Sequence, residues 1–379
     1  MEMTSKERML AAIRRQIPDR VPVTPDFSNM IPCRLTGKPF WEIYRNNNPD
    51  LYTAYLNAVA YFGIDGWCQT YDAVNFRRRI HIEPDRRIIS RDGERIVERF
   101  RYATSKGDLF EEVTYYKADP PTKTAKMVKD MEKDFPKIKE LYSDITGYDP
   151  GLTEDYRKAC GDRGIFCLGL TYPGMQYWNE YFEGNVTAAI YAYADYPELF
   201  EEWASLAERE AMQKAAIYLD LKPDVLMLGG SGTLTLASPD LVRRFALPTI
   251  KKITKMAQEA GIPTMLHSCG KSLAFLEMLA GETELNCINP LEEAPMGDCD
   301  LKEVKRKFGS KLALMGNLKT TDVMLYGTAA AVACASQKAI DDAGAGGGFI
   351  LSTGDQCGRD TPDENIFAMV AVAKSYGKY

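Results

Sequence analysis

A histidine and a cysteine separated by one residue are the first candidates for chemistry in this sequence. The chain has 379 residues but only two histidines, and His267 stands in HSCG, two positions before Cys269. An imidazole nitrogen and a thiolate are a ligand pair that suits zinc. A second cysteine, Cys357, lies in the polar segment LSTGDQCGRD and is a candidate third ligand. Three protein ligands with an open fourth position are typical of a catalytic zinc site.

The position of these residues along predicted strands indicates how they would meet. His267 ends the apolar run TMLH, and side chains two apart on an extended segment point to the same side, so His267 and Cys269 would form a two-pronged chelate. Cys357 follows the last apolar run of the chain. H-x-C pairs also arise by chance. The alternative is a buried histidine bonded to a neighbour, with two inert thiols.

Eight short apolar runs separated by helical patterns predict the architecture. The runs are 21–24, 64–68, 165–170, 225–228, 264–267, 285–288, 312–315 and 349–351, and helical patterns include 197–219, 239–260, 272–280, 301–308, 328–343 and 362–375. Apolar strands alternating with helices indicate a parallel sheet covered by helices, and eight such units favour an α/β fold of the (β/α)8 TIM barrel type. The alternative is a doubly wound open sheet, but no G-x-G-x-x-G follows the first run. In a barrel, the loops after the strands form the active-site face, which would carry all three candidate ligands.

One stretch departs from this alternation of strands and helices. Residues 79–116 alternate between polar and apolar types, and Asp92-Gly93 and Lys106-Gly107 are typical turns. This pattern predicts an antiparallel β meander over residues 77–120, inserted after the second strand, with His81 as an exposed strand residue. Residues 122–141 predict a charged helix. We therefore predict a single barrel domain over residues 1–379 with one insertion.

Composition excludes several classes of protein. Apolar residues make up 45% and charged residues 26% of the chain, with a net charge of −6, as in ordinary globular proteins. No long basic stripe is present, so nucleic acid is not an expected partner, and no run of about 20 apolar residues predicts a membrane span. No secretory signal pattern is seen. Nine scattered cysteines, an odd number, favour reduced thiols in a cytoplasmic protein over a disulfide framework.

Segments spread over almost the whole chain carry a family resemblance. They are TSKERMLAAIRRQIPDRVPV, SPDLVRRFALPTIKKI, HSCG, INPLEEAPMGDCDL, LALMGN and ILSTGDQCGRDTPDENI. On these segments the chain resembles the uroporphyrinogen decarboxylase superfamily, and within it the zinc-dependent corrinoid (cobalamin) methyltransferase branch. The resemblance implies a barrel with Zn²⁺ at its mouth, ligated by His267, Cys269 and Cys357, and a corrinoid carried by a partner protein. The arginine motif with which true decarboxylases grip carboxylates has no counterpart in PDFSNMIPCRLTGKPFW, so tetrapyrrole decarboxylation is not expected.

Two directions of methyl transfer fit such a site. Zinc could activate the oxygen of a methylated donor for attack by the cobalt of the corrinoid protein, or stabilise a thiolate that takes the methyl group from cobalt. The aromatic residues Tyr172, Tyr177 and Trp178 favour a methoxyaromatic donor and O-demethylation, although their spacing is also typical of helix packing. The alternatives are a methylcobalamin-to-thiol (coenzyme M-type) or tetrahydrofolate methyltransferase, a decarboxylase-like lyase, and a non-catalytic tetrapyrrole-binding barrel.

Further polar residues are candidates for supporting roles. Asp72, in QTYDAV, is a candidate substrate-binding residue because the resemblance implies that it stands in the place of the catalytic aspartate of the decarboxylases. Asn317 is a second candidate, and its alternative is to bond the loop backbone. The candidates for a fourth ligand or a general acid are Glu292, Glu293 and Asp355, which are otherwise surface carboxylates. Asp26, near the end of the first predicted strand, is a further candidate to face the pocket.

Overall fold

A computed structural model of the chain describes residues 2–27 and 29–379, and its strands form one parallel sheet and two antiparallel sheets. In chain order the strands are β1 (Gly66–Thr70), β2 (Asn75–Arg78), β3 (Asp85–Arg91), β4 (Arg95–Thr104), β5 (Gly107–Tyr116), β6 (Thr122–Ala125), β7 (Ile145–Asp149), β8 (Gly164–Thr171), β9 (Val225–Gly229), β10 (Thr264–His267), β11 (Cys287–Asn289), β12 (Ala313–Leu318) and β13 (Phe349–Thr353). Seven of them run parallel in the order β1-β8-β9-β10-β11-β12-β13.

The segment 21–24 lies between the two edges of this parallel sheet. Val23 pairs in parallel with Leu351 of β13, where the Leu351 N–H donates to the carbonyl of Pro22 (2.9 Å) and the Thr24 N–H donates to that of Leu351 (3.0 Å). On the other side, the N–H of Asp65, just before β1, donates to the carbonyl of Val23 (2.8 Å). The predicted TIM barrel is confirmed, with seven of the eight apolar runs as strands and the first as a bridging segment.

Burial on both faces explains why the strands are continuous apolar runs. All residues of β12 and β13 are buried, and so are all of β8 except the last, as expected for a parallel sheet covered by helices. A second buried layer contains side chains from β1 and from β8 to β13, together with Met9, Ala12 and Ile13. The helix that carries these three residues therefore packs against the barrel strands and fixes one end of the barrel.

Helices account for most of the chain between the strands. They are α1 (Ser5–Ile13), α2 (Met30–Leu35), α3 (Phe40–Tyr44), α4 (Leu51–Phe62), α5 (Met131–Leu141), α6 (Thr153–Cys160), α7 (Met175–Trp178), α8 (Asn185–Asp195), α9 (Pro197–Asp220), α10 (Pro239–Leu241), α11 (Leu247–Glu259), α12 (Leu273–Glu282), α13 (Leu301–Phe308), α14 (Ala329–Ala343) and α15 (Asp363–Ser375). Two π-helical turns, Val242–Ala246 and Thr320–Leu325, precede α11 and α14. Within the described residues, no helix has the length and apolar character needed to cross a bilayer.

The predicted insertion after the second barrel strand is present as an antiparallel sheet of β3, β4, β5 and β6, and β2 pairs separately with β7. The predicted turns lie between β3 and β4 and between β4 and β5. The predicted helix over 122–141 is wrong in its first part, because residues 122–125 pair with β5. There the Thr114 and Thr124 hydroxyls bond across the strands (2.9 Å), and Asp130 caps the start of α5. His81 is exposed, as predicted, but lies in a loop rather than a strand.

A buried charge cluster joins α1 to the bridging segment. The fully buried carboxylate of Asp65 accepts hydrogen bonds from the guanidinium groups of Arg8 (2.6 Å) and Arg20 (3.0 Å). The backbone N–H of Val23 donates to the same carboxylate (2.9 Å), and Arg8 is also bonded to Asp19. This cluster fixes the segment that leads into the barrel mouth.

Candidate metal centre

Three candidate ligands lie together at the carboxyl end of the barrel strands. One ligand atom each of His267, Cys269 and Asp355 lies within 4.8 Å of the other two, and His267 Nε2 is 3.8 Å from Asp355 Oδ1. His267 is the last residue of β10, and Asp355 comes two residues after β13. Nitrogen, sulfur and oxygen donors of these types are all zinc ligands, so the donor set fits the expected metal.

Cys357, the predicted third ligand, is not part of this group. It is fully buried, its Sγ is 3.9 Å from Thr353 Oγ1, and its N–H donates to the carbonyl of Asp26 (2.8 Å). Burial raises the pKa of the Cys357 thiol to about 12, against the effect of the Thr353 hydrogen bond, and the charges of Asp26 and Asp355 raise it further. The structure therefore brings Asp355 to His267 and Cys269, and the role of Cys357 as a ligand stays a prediction.

Burial and neighbouring carboxylates disfavour the thiolate form of Cys269. Burial raises the pKa of the Cys269 thiol to about 12, and the charges of Asp355 and Glu292 act in the same direction. Glu292 is itself buried, which raises its pKa, and it accepts a hydrogen bond from the N–H of Gly270. A thiol and two carboxylates thus converge here. A divalent cation would reverse this balance and stabilise the thiolate.

The loop that carries Cys269 is held by its neighbours. The N–H of Ser268 donates to the carbonyl of Asn289 in β11 (2.9 Å), and the Thr235 hydroxyl donates to the carbonyl of Cys269 (3.3 Å). Gly270 has φ +81°, and a Cβ at this position would come within 2.0 Å of Thr235 Oγ1. Only glycine fits this position without strain, which accounts for the Cys-Gly pair in the sequence.

Two neighbouring cavities open near the candidate ligands. The first, which we call the metal cavity, has a volume of about 790 Å³ and is lined by His267, Cys269 and Asp355 among others. The second, which we call the tyrosine cavity, has a volume of about 710 Å³. Residues that line both are Asn29, Trp67, Gln69 and Tyr71. Both volumes are within the range of small-molecule binding sites.

The lining of both cavities is acidic. Its carboxylates are Asp26, Glu180, Glu292 and Asp355 in the metal cavity and Asp50 and Asp72 in the tyrosine cavity. Among the residues that the structure describes, no lysine or arginine lines either cavity. The mouth of the barrel is therefore negatively charged around the candidate metal ligands.

The structure divides the predicted substrate-binding residues between cavities and core. Tyr177 lines the metal cavity and Asp72 the tyrosine cavity. Tyr172 is buried, with its hydroxyl bonded to that of Thr233 (2.8 Å). Trp178 is fully buried and packs against Phe200, Trp203 and Phe245. Neither Tyr172 nor Trp178 lines the two cavities, and helix packing, the alternative given above, describes Trp178.

Asn317 and Glu293 lie outside the metal cavity. Both line a smaller cavity of about 220 Å³. Asn317 Nδ2 donates to the carbonyl of Leu291 (3.1 Å), and Glu293 is 3.8 Å from the ammonium group of Lys319. Asn317 therefore bonds the loop backbone, which was the alternative for this residue.

Sequence reasoning missed the aromatic and amide side chains that come from β1 and the residue after it. Trp67, Gln69 and Tyr71 alternate along this stretch, and all three line both cavities. Alternation with a period of two residues along β1, which was the second predicted strand, is the signal that would have identified them. Tyr71 lies over Gly169 and Gly229, where an added Cβ would come within 2.5 Å and 2.6 Å of its ring and hydroxyl.

Several known proteins are similar to this chain in sequence or in fold. The model of the family "Uroporphyrinogen decarboxylase (URO-D)" matches residues 185–376. Two curated proteins named "Methylcobamide:CoM methyltransferase MtbA", from Methanosarcina mazei and Methanosarcina acetivorans, are 29% and 28% identical over 152 residues. This stretch covers 40% of the chain and 42% of each relative, less than half of their length. A solved structure titled "methyltransferase from Methanosarcina mazei" matches with a TM-score of 0.67 at 19% identity, over 99% of both chains, which shows the fold.

Proposed function

The chain belongs to the uroporphyrinogen decarboxylase family, and from this premise we propose that it is a zinc-dependent methyltransferase of a corrinoid system. It would move a methyl group between a small methylated compound and the cobalt of a corrinoid protein. The observation that carries the proposal is the convergence of His267, Cys269 and Asp355 beside a cavity of about 790 Å³. The likeness to curated methylcobamide methyltransferases supports it.

The residues of the chain have distinct roles in this proposal. His267 and Cys269 hold the metal, with Asp355 and the predicted ligand Cys357 as further donors. Bound there, Zn²⁺ would supply Lewis acidity toward an oxygen or sulfur atom of the substrate. Glu292 orients the Cys269 loop through its hydrogen bond from the N–H of Gly270, as outer residues commonly orient metal ligands.

We propose a methylated donor, of the methoxyaromatic kind expected from the sequence, as the small-molecule substrate. Trp67, Tyr71 and Tyr177 provide aromatic surface in the metal cavity that suits a ring. The corrinoid protein would approach at the open mouth of the barrel. Since all nine cysteines are free thiols, we propose that the reaction takes place in the reducing cytoplasm.

A thiol acceptor is the second candidate, because the two curated relatives are named for coenzyme M. Its sulfonate would call for a lysine or arginine, and among the described residues none lines the metal cavity or the tyrosine cavity. The same charge argument weighs against tetrahydrofolate, with its glutamate carboxylates, and against a polycarboxylate tetrapyrrole as substrate or bound ligand. The methylated donor is therefore the candidate that we place first.

Metal analysis of the purified protein tests the proposal, with the second histidine as a matched control. We expect about one zinc per chain in protein purified under reducing conditions, because His267, Cys269 and Asp355 form a single ligand group. His267→Ala should lose this zinc, whereas His81→Ala, in an exposed loop, should keep it. Methyl transfer to free reduced cobalamin, followed by its visible spectrum, should depend on the same metal. A wild-type protein that neither contains nor takes up zinc would rule the proposal out.

A further inference from the structure

We propose that the tyrosine cavity is the subsite for the part of the methyl compound that does not react, and that its acidic lining selects an uncharged, hydroxyl-bearing compound over an anionic one. The inference rests on the proposed function, since it assigns the methyl-bearing end of the compound to the metal cavity. The proposed metal ligands do not by themselves require the tyrosine cavity.

The two cavities are placed to bind one molecule. They share Asn29, Trp67, Gln69 and Tyr71, so a compound that lies against these side chains contacts both. The shared residues combine aromatic faces with amide groups. A ring attached to a methyl-bearing oxygen can therefore pack against Trp67 or Tyr71 while its substituents extend into the tyrosine cavity.

The walls of the tyrosine cavity are aromatic. Phe27, Tyr52, Tyr55 and Tyr156 line it, and the rings of Tyr52 and Tyr156 are stacked with centroids 4.1 Å apart. Stacking and burial hold these rings in place, since Tyr52 and Tyr55 are both buried. Rigid aromatic walls are typical of sites that bind planar or apolar groups.

A carboxylate at the rim of this cavity is available to a ligand. Asp72 is exposed and has no hydrogen-bond or ion-pair partner among the residues described in the structure. Asp50, the other carboxylate of the cavity, accepts from the Thr53 N–H (3.0 Å) and the Tyr156 hydroxyl (3.2 Å). Asp72 can therefore accept a hydrogen bond from a substrate hydroxyl, whereas Asp50 is engaged in the fold.

The net charge of the two cavity linings remains negative when a bound divalent metal ion is included. A Zn²⁺ ion would be balanced by the Cys269 thiolate and the Asp355 carboxylate. Five carboxyl groups then remain in the two linings, without a lysine or arginine among the described lining residues: those of Asp26, Glu180, Glu292, Asp50 and Asp72. An anionic substituent would meet repulsion from these groups and find no cation to replace its hydration.

Tyr71 forms the boundary between the two cavities. Its ring lies across β8 and β9, over the two glycines at 169 and 229, and it forms part of both linings. A larger residue at either glycine would occupy the place of the ring. The boundary between the cavities is therefore built from three strand ends that come from distant parts of the sequence.

Binding of two matched compounds to the zinc-loaded protein tests the proposal. The probes are 2-methoxyphenol, which is uncharged at pH 7, and 4-hydroxy-3-methoxybenzoate, which adds a carboxylate to the same ring. We expect calorimetry to show at least about tenfold tighter binding of the uncharged compound, from like-charge repulsion across a few ångströms. Raised salt should narrow this difference, because it screens the repulsion.

Two variants separate the subsite from general charge effects. Asp72→Asn should improve binding of the benzoate several-fold, because it removes one repelling charge, and should weaken binding of 2-methoxyphenol. Glu83→Gln makes the same change in a residue whose side chain is 81% exposed in the insertion, and should alter neither affinity.

The outcomes distinguish this inference from the proposed function. Equal or tighter binding of the benzoate, no measurable binding of either compound, or an unchanged ratio in Asp72→Asn would overturn the subsite. These measurements need no methyl transfer. Zinc-dependent methylation of cobalamin from another donor would then leave the proposed function standing. Selective binding of 2-methoxyphenol without any methyl transfer from it would support the subsite and count against the reaction.

Discussion

Replacing Asp65 with alanine should destabilise the fold by about 4 kcal/mol, in the middle of the range for a buried ion pair that loses one partner. The Asp65 carboxylate is fully buried and accepts from Arg8 (2.6 Å), Arg20 (3.0 Å), the Val23 N–H (2.9 Å) and the Ser5 hydroxyl (2.8 Å). It therefore joins α1, the bridging segment and β1.

The magnitude follows from what the two arginines would retain. The side chain of Arg8 is 3% exposed and keeps its bonds to Asp19. The side chain of Arg20 is 10% exposed, and among the described residues it keeps only the carbonyl of Val21 (3.1 Å). One buried cation is thus left without a counter-charge, while the other keeps one. The expected loss is therefore below the upper limit of about 5 kcal/mol.

Urea unfolding, followed by tryptophan fluorescence and circular dichroism, measures this loss. Asp108→Ala is the matched control, because it removes an aspartate at the same type of bond, 2.8 Å from Arg101, in a pair whose side chains are 46% and 35% exposed. We expect the control to cost less than about 1 kcal/mol. If Asp65→Ala cost no more than the control, the view that this cluster holds the barrel together would be refuted.

Three further outcomes are expected. Asp355→Asn and Cys357→Ser should each lower zinc affinity by at least about tenfold. Competition with a chromogenic chelator measures this affinity, and a variant that binds zinc as tightly as the wild type would remove its residue from the ligand set. Gly169→Ala should cost about 1–3 kcal/mol of stability, measured by urea unfolding, because its Cβ would meet the Tyr71 ring at 2.5 Å; an unchanged midpoint would contradict this packing. Burial raises the pKa of Asp19, but the hydrogen bonds from Arg8 and from the backbone of Met3 and Arg20, together with the charge of Arg8, outweigh this effect and lower the pKa from 3.8 to about 2. The contribution of ionised Asp19 to stability should therefore be complete at pH values above the pKa of Asp19 in the unfolded chain, and it should be lost as the pH falls toward 2. The difference in unfolding free energy between wild type and Asp19→Asn should accordingly shrink over this pH range rather than stay constant.

The barrel could be predicted because its strands are buried on both faces and read as continuous apolar runs. Local signals also identified the turns of the insertion. They failed at Thr122–Ala125, because the charged pattern of residues 122–141 predicted a helix, whereas this stretch pairs with β5 and Asp130 caps the start of α5. Such pairing depends on a neighbouring strand, which composition over a short window does not reveal.

The candidate site was predicted in part. Position at a strand end identified His267 and Cys269, because both the strand and its face follow from local pattern. Asp355 was expected only as a fourth ligand or acid, since its φ of +110° and its approach to a residue 88 positions away are not local properties. The cavities could not be predicted, because their lining comes from the ends of several strands and their loops.

The bridging segment has a consequence for how the protein is made. Val23 pairs with Leu351, 328 positions later, and the Cys357 N–H reaches the carbonyl of Asp26. During synthesis, residues 21–24 must therefore wait until β13 has left the ribosome before the ring can close. Contacts so distant in sequence form slowly, and partly folded chains expose unpaired strand edges meanwhile. Because Asp355 also follows β13, the ligand group proposed for zinc would be complete only among the last steps in the maturation of this chain.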